Sequence, residues 1–229
     1  MITIIRHSER LDHVNKKKWE KSKRFKQNSL DTPITKKGDK IAINAINKIL
    51  KKGYKNITYL YSSPLTRCIQ TSLIIKKIIK KKLNIDLKIR VEYGLVEIDT
   101  HFTKFENNKF VVDSNKNYID KELRLDNLIK KYGSHFDNDY KSIIKYDKIN
   151  FDKSITSGYN RVMKVFNKIN QNVKNNNTII CTHGGCLFGI YSYLKKEINE
   201  LEYNKVAGEY CSILLKEKKK ITLLKPDNL

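Results

Sequence analysis

The sequence contains few of the residues that mark several special classes of protein. Among its 229 residues are only 9 glycines and 3 prolines, which excludes a collagen-like or loop-dominated chain. A hydrophobic content of 39% is enough to form a buried core, so the chain is not expected to be disordered. No apolar run approaches the roughly 20 residues that cross a bilayer, so we expect no contact with a membrane.

Cysteine is also scarce, and its placement indicates a reducing compartment. The four cysteines are scattered along the chain and lack the spacing of metal ligands. The first seven residues become charged too early to form a signal peptide. We therefore expect a cytoplasmic protein without a metal site. The cysteines are Cys68, Cys181, Cys186 and Cys211.

Acidic residues are few, 24 against 47 lysines and arginines, which gives a formal charge of +23. Such a charge is typical of nucleic-acid-binding proteins. However, all but seven of the basic residues are lysines, and these are spread along the whole chain, which argues against nucleic acid as the main partner. In such a chain an arginine is a candidate for bidentate recognition of an anion. The arginines are Arg6, Arg10, Arg24, Arg67, Arg90, Arg124 and Arg161.

Short apolar segments alternate with longer amphipathic ones. This alternation predicts an α/β fold with a mostly parallel central sheet and helices on both faces, in one domain of residues 1–229. Residues 8–34 are predicted to be irregular, and residues 98–150 to form an inserted cap region. We predict strands at 2–6, 57–61, 87–91, 178–182, 211–215 and 220–224, and helices at about 35–52, 65–82, 157–174 and 184–194. Within the cap region we predict a hairpin near Lys104–Val112 and helices near 120–131 and 137–145.

Four segments with chemically useful side chains follow predicted strands. In a parallel sheet the carboxyl ends of the strands share one edge, so these segments are expected to meet there. Two histidines and three arginines near the starts of helices would form a pocket for a tetrahedral oxyanion, and phosphate is its natural occupant. A neutral imidazole in such a pocket can attack an electrophile. The segments are Arg6–Arg10, Ser62–Arg67, Glu97 and His183–Gly185.

The sequence lacks the motifs of other classes of phosphate-processing enzymes. A cysteine-dependent phosphatase needs an arginine six residues after its cysteine, but Leu187 follows Cys181 at that distance and Ile74 follows Cys68. The chain has no Gly-x4-Gly-Lys-Ser/Thr phosphate loop. It also lacks the clustered aspartates and histidines of two-metal phosphatases.

These segments resemble a known family. Arg6–Arg10, Ser62–Arg67 and Thr182–Gly184 are similar to the motifs of the histidine phosphatase, or phosphoglycerate mutase-like, superfamily, in order and over about residues 1–215. The pattern Arg-His-x-Glu-Arg-x-Asp at 6–12, with Trp19 and the segment 94–97, most resembles two groups of that superfamily. These are the Sts (suppressor of T-cell receptor signalling) domains and the ecdysteroid-phosphate phosphatases.

The resemblance implies a role for each matching residue. His7 would be the nucleophile that becomes phosphohistidine, and Glu97 would protonate the leaving oxygen and then activate water. His183 would complete the catalytic pocket. The phosphate-binding groups would be Arg6, Arg10, Arg67, His183 and Gly184.

The implied activity is hydrolysis of phosphomonoesters without a metal or organic cofactor. The substrate would be a phosphorylated small molecule or a phosphoprotein, and related domains suggest a homodimer. Two alternatives stay open, a phosphoglycerate mutase-type phosphotransferase and a catalytically weak phosphate-recognition module. One residue departs from the family, since Ser8 stands where glycine usually follows the nucleophile. A positive φ at this position would cost serine roughly 1 kcal/mol, whereas its hydroxyl could instead contact the phosphate.

Overall fold

The core of the computed structural model is a six-stranded sheet. Its strands are β1 (Ile2–Arg6), β2 (Ile57–Ser62), β3 (Ile89–Val91), β6 (Asn177–Thr182), β7 (Ile213–Glu217) and β8 (Lys220–Leu224). They lie in the order β3-β2-β6-β1-β7-β8. The first four pair in parallel, while β7 runs antiparallel to both of its neighbours. The structure describes residues 1–98, 103–106, 109–112, 120–148, 154–173, 176–197 and 199–225.

Helices cover both faces of this sheet, as the sequence predicts. The helices are α1 (Leu11–Val14), α2 (Lys16–Glu20), α3 (Lys23–Gln27), α4 (Lys36–Lys51), α5 (Thr66–Leu83), α6 (Leu125–Tyr132), α7 (Ile155–Val173), α8 (Gly184–Lys195) and α9 (Tyr203–Ala207). Because side chains alternate along a strand, Ile5 packs with α4 and α5 on one face, and Ile4 packs with α7 and α8 on the other. Among the described residues, no helix is long and apolar enough to cross a membrane.

The prediction of an irregular segment at 8–34 is wrong in part. Three short helices, α1 to α3, lie there, and two of them are capped by side chains. Asn15 accepts a hydrogen bond from the backbone N–H of Lys18 at 2.9 Å, and Ser22 accepts one from Phe25 at 3.1 Å. Helices of four or five residues are too short to show a hydrophobic period, so the sequence pattern does not reveal them.

The predicted hairpin is present, whereas the helix predicted at 137–145 is wrong. Strand β4 (Thr103–Glu106) pairs with β5 (Lys109–Val112) in a separate antiparallel sheet. The described residues at 137–145 form no helix, because the fully buried carboxylate of Glu92 binds their backbone. It accepts hydrogen bonds from the N–H groups of Ile143 and Ile144 and from the Tyr140 hydroxyl, at 2.7, 3.2 and 2.7 Å. Helix α6 begins later than predicted, at Leu125, after a short 3-10 turn.

Replacing Glu92 with Gln should destabilise the protein strongly. A glutamine amide would direct its NH₂ group at donors that now bind a carboxylate oxygen. We expect the Glu92→Gln variant to lose about 2–4 kcal/mol of unfolding free energy in urea titration. The exposed carboxylate of Glu122 offers a matched control, and Glu122→Gln should change this free energy by less than about 0.5 kcal/mol. Equal losses in the two variants would contradict this account.

Candidate active site

The pairing of β1 with β6 brings two histidines together. Arg6 lies opposite Thr182 in this parallel pair, so His7 and His183 leave neighbouring strands at the same level. The backbone N–H of His7 continues the ladder and donates to the Thr182 carbonyl at 2.8 Å. The two imidazole centroids are 5.2 Å apart, with their planes at 65°. Residues 176 positions apart thus form one buried pair at the carboxyl edge of the sheet.

His7 is held in one tautomer. Its Nδ1 lies 2.8 Å from the carbonyl oxygen of Ser8, which can only accept, so Nδ1 carries the proton. Burial lowers the pKa of His7 well below 6.5, and the positive charge of Arg67, the neighbouring His183 and Arg6 lower it further. The ring is therefore neutral near pH 7, with an unshared electron pair on Nε2.

His183 is equally buried and is oriented by side chains from α5 and from the turn between β2 and α5. Its Nε2 lies 2.8 Å from the Ser63 hydroxyl and 3.5 Å from the Cys68 thiol. Burial lowers the pKa of this histidine well below 6.5, and the cations Arg67 and Arg10 add to the effect. Both histidines therefore enter the site without charge.

The guanidinium of Arg6 is fixed by hydrogen bonds from Nη1, while its Nε is a donor without a partner among the described residues. Its Nη1 donates to the carbonyls of Ala207 and Gly208 at 2.7 and 2.8 Å. The guanidinium stacks on Tyr210, 4.7 Å from the ring centroid, and that ring lies 6.0 Å from the ring of His7. Its Nε is buried and makes no hydrogen bond within the described part of the chain. A buried donor of this kind can bind an oxygen of an anionic ligand.

Arg67 is positioned by the loop before α4. It is buried in the first turn of α5, and its Nη1 donates to the carbonyl of Leu30 at 2.9 Å. The next residue of that loop, Asp31, accepts hydrogen bonds from the backbone N–H and the hydroxyl of Thr66, each at 2.6 Å. Asp31 is fully buried and pairs with Arg24 at 2.7 Å. The start of α5, and Arg67 with it, therefore depends on a carboxylate 35 residues before Thr66.

Arg10 lies at the same edge of the sheet but binds a carboxylate. Its Nε and Nη2 donate to the two oxygens of Asp12 at 3.0 and 2.5 Å, and this guanidinium lowers the pKa of Asp12. Its charge also lowers the pKa of His183, so it acts on the histidine pair. Direct binding of phosphate by Arg10 stays a prediction.

Glu97 lies against the first turn of α8. Its Oε1 accepts hydrogen bonds from the backbone N–H groups of Ile98 and Gly185, at 3.0 and 3.1 Å, which leaves Oε2 as the oxygen that can carry a proton. Gly185 makes this approach possible, because a Cβ there would lie 2.8 Å from Oε1. A Cβ on Gly184 would lie 2.6 Å from the hydroxyl of Tyr203. The lack of a Cβ at Gly184 and Gly185 thus leaves room for the side chains of Tyr203 and Glu97. A contact of Gly184 with phosphate stays a prediction.

Two serines beside the histidines form hydrogen bonds within the protein. Ser8 has no positive φ, so the strain considered for this position does not arise, and its hydroxyl donates to the Gly38 carbonyl at 2.6 Å. Helix α5 begins at Thr66 with Leu65 as its N-cap, so Ser63 lies outside the helix. The hydroxyl of Ser63 instead bonds His183, as described above.

Sequence reasoning missed several contacts that shape this site. Ser63, Asp31 and Tyr210 have partners that are distant in the chain, and no local pattern predicts those contacts. Arg161 is among the seven arginines that the sequence singles out as candidates for anion binding, but it binds backbone carbonyls near Glu97 instead. Within the described residues, no group of three or more His, Cys, Asp or Glu side chains could hold a metal ion.

Comparison with known proteins finds a matching family and similar folds. The family model of the histidine phosphatase superfamily (branch 1) matches residues 2–224. A phosphoglycerate mutase family protein of Acanthamoeba polyphaga mimivirus, itself uncharacterised, is 34% identical over 101 residues. That match covers 44% of this chain and 46% of the viral protein, so the chain aligns with less than half of that relative's length.

Two solved structures share the fold. Ecdysone phosphate phosphatase from the silkworm Bombyx mori, in complex with tungstate, superposes with a TM-score of 0.69 at 18% identity, covering 98% of this chain and 92% of its own. It is a member of the ecdysteroid-phosphate phosphatase group that the sequence resembles. Phosphoserine phosphatase from Entamoeba histolytica, in complex with 3-phosphoglyceric acid, gives a TM-score of 0.53 at 18% identity, covering 100% and 96% of the two chains.

The buried neutral histidines should make stability depend on pH. Because both have a pKa below 6.5 in the folded protein, unfolding takes up protons as the pH falls through 6.5. We expect the unfolding free energy to fall between pH 6.5 and 5 with a slope approaching about 1.4 kcal/mol per pH unit for each histidine. Carboxylates such as Asp12 change the unfolding free energy only at lower pH, since the ordinary pKa of an aspartate is 3.8. Urea titrations at several pH values measure this slope.

Two variants test the origin of that slope. His7→Asn should remove about half of it, because one of the two buried imidazoles is lost. His135→Asn should leave it unchanged, since His135 is exposed. A flat dependence between pH 6.5 and 5 in the unmodified protein would contradict the lowered pKa values.

Proposed function

This chain belongs to the histidine phosphatase superfamily (branch 1), and we propose that it hydrolyses phosphomonoesters through a phosphohistidine intermediate on His7. Membership of the family supports an enzyme that acts on phosphate esters. The observation that carries the finer proposal is the state of His7, a buried neutral imidazole whose Nδ1 donates to the backbone carbonyl of Ser8. Nucleophilic attack requires such a free Nε2 pair, whereas simple recognition of phosphate does not.

In the first step, Nε2 of His7 attacks the phosphorus atom. A new N–P bond forms as the bond from phosphorus to the ester oxygen breaks, and Oε2 of Glu97 gives its proton to the departing alcohol. Arg6 and Arg67 stabilise the charge that spreads over the transferring oxygens. The neutral His183, whose ring centroid lies 5.2 Å from that of His7, would donate a hydrogen bond to the same group.

In the second step, water replaces the histidine. The Glu97 carboxylate accepts a proton from the water as its oxygen attacks phosphorus, and the N–P bond breaks to release inorganic phosphate and the original imidazole. Glu97 is then protonated again for the next cycle. The cations supply the charge stabilisation in both steps, so we expect activity to persist in the presence of a chelator.

The two phosphatases with this fold support hydrolysis as the outcome. They are an ecdysone phosphate phosphatase and a phosphoserine phosphatase, and the second was solved with 3-phosphoglyceric acid. Ecdysone phosphate, phosphoserine and 3-phosphoglyceric acid are phosphorylated small molecules, and we propose substrates of that class here. A Lys-rich surface also favours anionic substrates by electrostatic steering.

Loss of His7 should abolish turnover. We expect His7→Ala to lower kcat/KM for 4-nitrophenyl phosphate, assayed with a chelator present, by at least about 1000-fold, because the covalent step is removed. His135→Ala is the matched control and should retain full activity, since that histidine is exposed. Rapid quenching with a phosphate-labelled substrate should trap an acid-labile phosphoenzyme that His7→Ala lacks. An active His7→Ala enzyme would refute the proposal, as would loss of activity on chelation.

A further inference from the structure

The segment that carries Glu97 is held by side chains of other elements. Residues 94–97 follow β3 and lie at or beyond a single 3-10 turn, so they have no strand partner. All four of their carbonyls nevertheless accept hydrogen bonds. The Thr182 hydroxyl donates to the Leu95 carbonyl at 2.8 Å, and the Cys186 thiol lies 3.1 Å from that of Val96. Side chains thus replace the backbone ladder that would otherwise satisfy these groups.

Arg161 binds three of these four carbonyls. This residue of α7 donates from Nη1 to the carbonyls of Gly94 and Val96, at 2.7 and 3.0 Å, and from Nη2 to that of Glu97 at 3.1 Å. A guanidinium is suited to this task, since its donors are fixed in one plane and two nitrogens can bind at once. A lysine ammonium could reach some of the three carbonyls but could not fix their relative positions.

The segment also packs directly on α7. A Cβ on Gly94 would lie only 2.4 Å from Cγ2 of Val165, which follows Arg161 by about one helical turn. This close approach brings the backbone of the segment within reach of the guanidinium. The position of Glu97 is therefore set by a helix that begins nearly 60 residues later in the chain.

We propose that Arg161 is a positioning residue for Glu97, which holds the carboxyl where it can protonate the leaving oxygen. The inference rests on the proposed function, since it assigns Glu97 the acid role. The carboxyl group of Glu97 is fixed through Oε1 by two backbone N–H groups. The backbone of Glu97 is fixed by Arg161, which donates to its carbonyl oxygen. Proton transfer is sensitive to displacements of about 1 Å, so loosening one anchor should slow this step selectively.

The leaving group of the substrate provides the test. 4-Nitrophenolate departs without a proton, whereas phenolate and alkoxides need the acid. We expect Arg161→Lys to lower kcat/KM for phenyl phosphate by about 10–100-fold and that for 4-nitrophenyl phosphate by less than about 3-fold. Inhibition by inorganic phosphate should change by less than about 2-fold, because Arg161 does not bind the phosphoryl group in this scheme.

A double-mutant cycle separates positioning from a general loss of structure. Glu97→Gln alone should show the same selective loss for phenyl phosphate, and adding Arg161→Lys to it should lower the rate by less than about 2-fold further. Lys164→Gln is the matched control, an exposed cation on the same helix that should affect neither substrate. Thermal unfolding of each variant identifies any that are not folded at the assay temperature. If Arg161→Lys is not folded at the assay temperature, two variants of Thr182 replace it in the comparison of the two substrates. Thr182→Ser keeps the hydroxyl that donates to the Leu95 carbonyl, and Thr182→Val removes it.

Three outcomes would overturn the inference. Equal losses for the two substrates in Arg161→Lys, with a selective loss in Glu97→Gln, would show that Arg161 acts on stability or binding and would leave the proposed function intact. A large further loss on adding Arg161→Lys to Glu97→Gln would show that the two residues act independently. A Glu97→Gln enzyme without leaving-group selectivity would remove the acid role and this inference with it, while the His7 step would still be judged by His7→Ala.

Discussion

The site depends on the register of one pair of parallel strands. Because Arg6 lies opposite Thr182, two histidines from opposite ends of the chain meet at the same level of the sheet. A shift of one residue would move each side chain to the opposite face and separate the rings. The register itself is held by the apolar residues of β1 and β6, which pack into both layers of helices. Stability of the core and geometry of the candidate site therefore have the same origin.

Burial gives these histidines their chemical character. An imidazolium at the centre of three guanidinium groups and an apolar core would be strongly disfavoured, so both rings are neutral. The Ser8 carbonyl then selects which nitrogen of His7 keeps its proton. The same positive charge that disfavours a charged histidine would favour a bound anion. Under the proposed function, the lowered pKa values of the histidines and the affinity for phosphate would arise from one set of charges.

Most of the active-site supports are single side chains that bind backbone of a distant segment. Glu92 holds the loop at 143–144, Asp31 holds the start of α5, and Arg161 holds the residues before Glu97. Each satisfies backbone groups that no regular element pairs, which is why these segments can be irregular and still fixed. In a protein whose surface is dominated by lysine, arginine is used where several acceptors must be bound in one plane.

The sequence by itself determined most of the strand and helix pattern, the family, and the meeting of His7 and His183 at one edge of the sheet. These follow from local periodicity and from short motifs, which are properties of neighbouring residues. Three features were decided only by the tertiary structure. The Ser63 hydroxyl forms a hydrogen bond with His183, the Ser8 hydroxyl donates to the Gly38 carbonyl, and residues 137–145 are not helical. Each of these depends on a hydrogen bond between residues 30 or more positions apart, and the energy of such a bond leaves no mark on the local pattern. Hydrogen bonds between residues that are distant in the chain are therefore the part of this structure that the sequence alone does not predict.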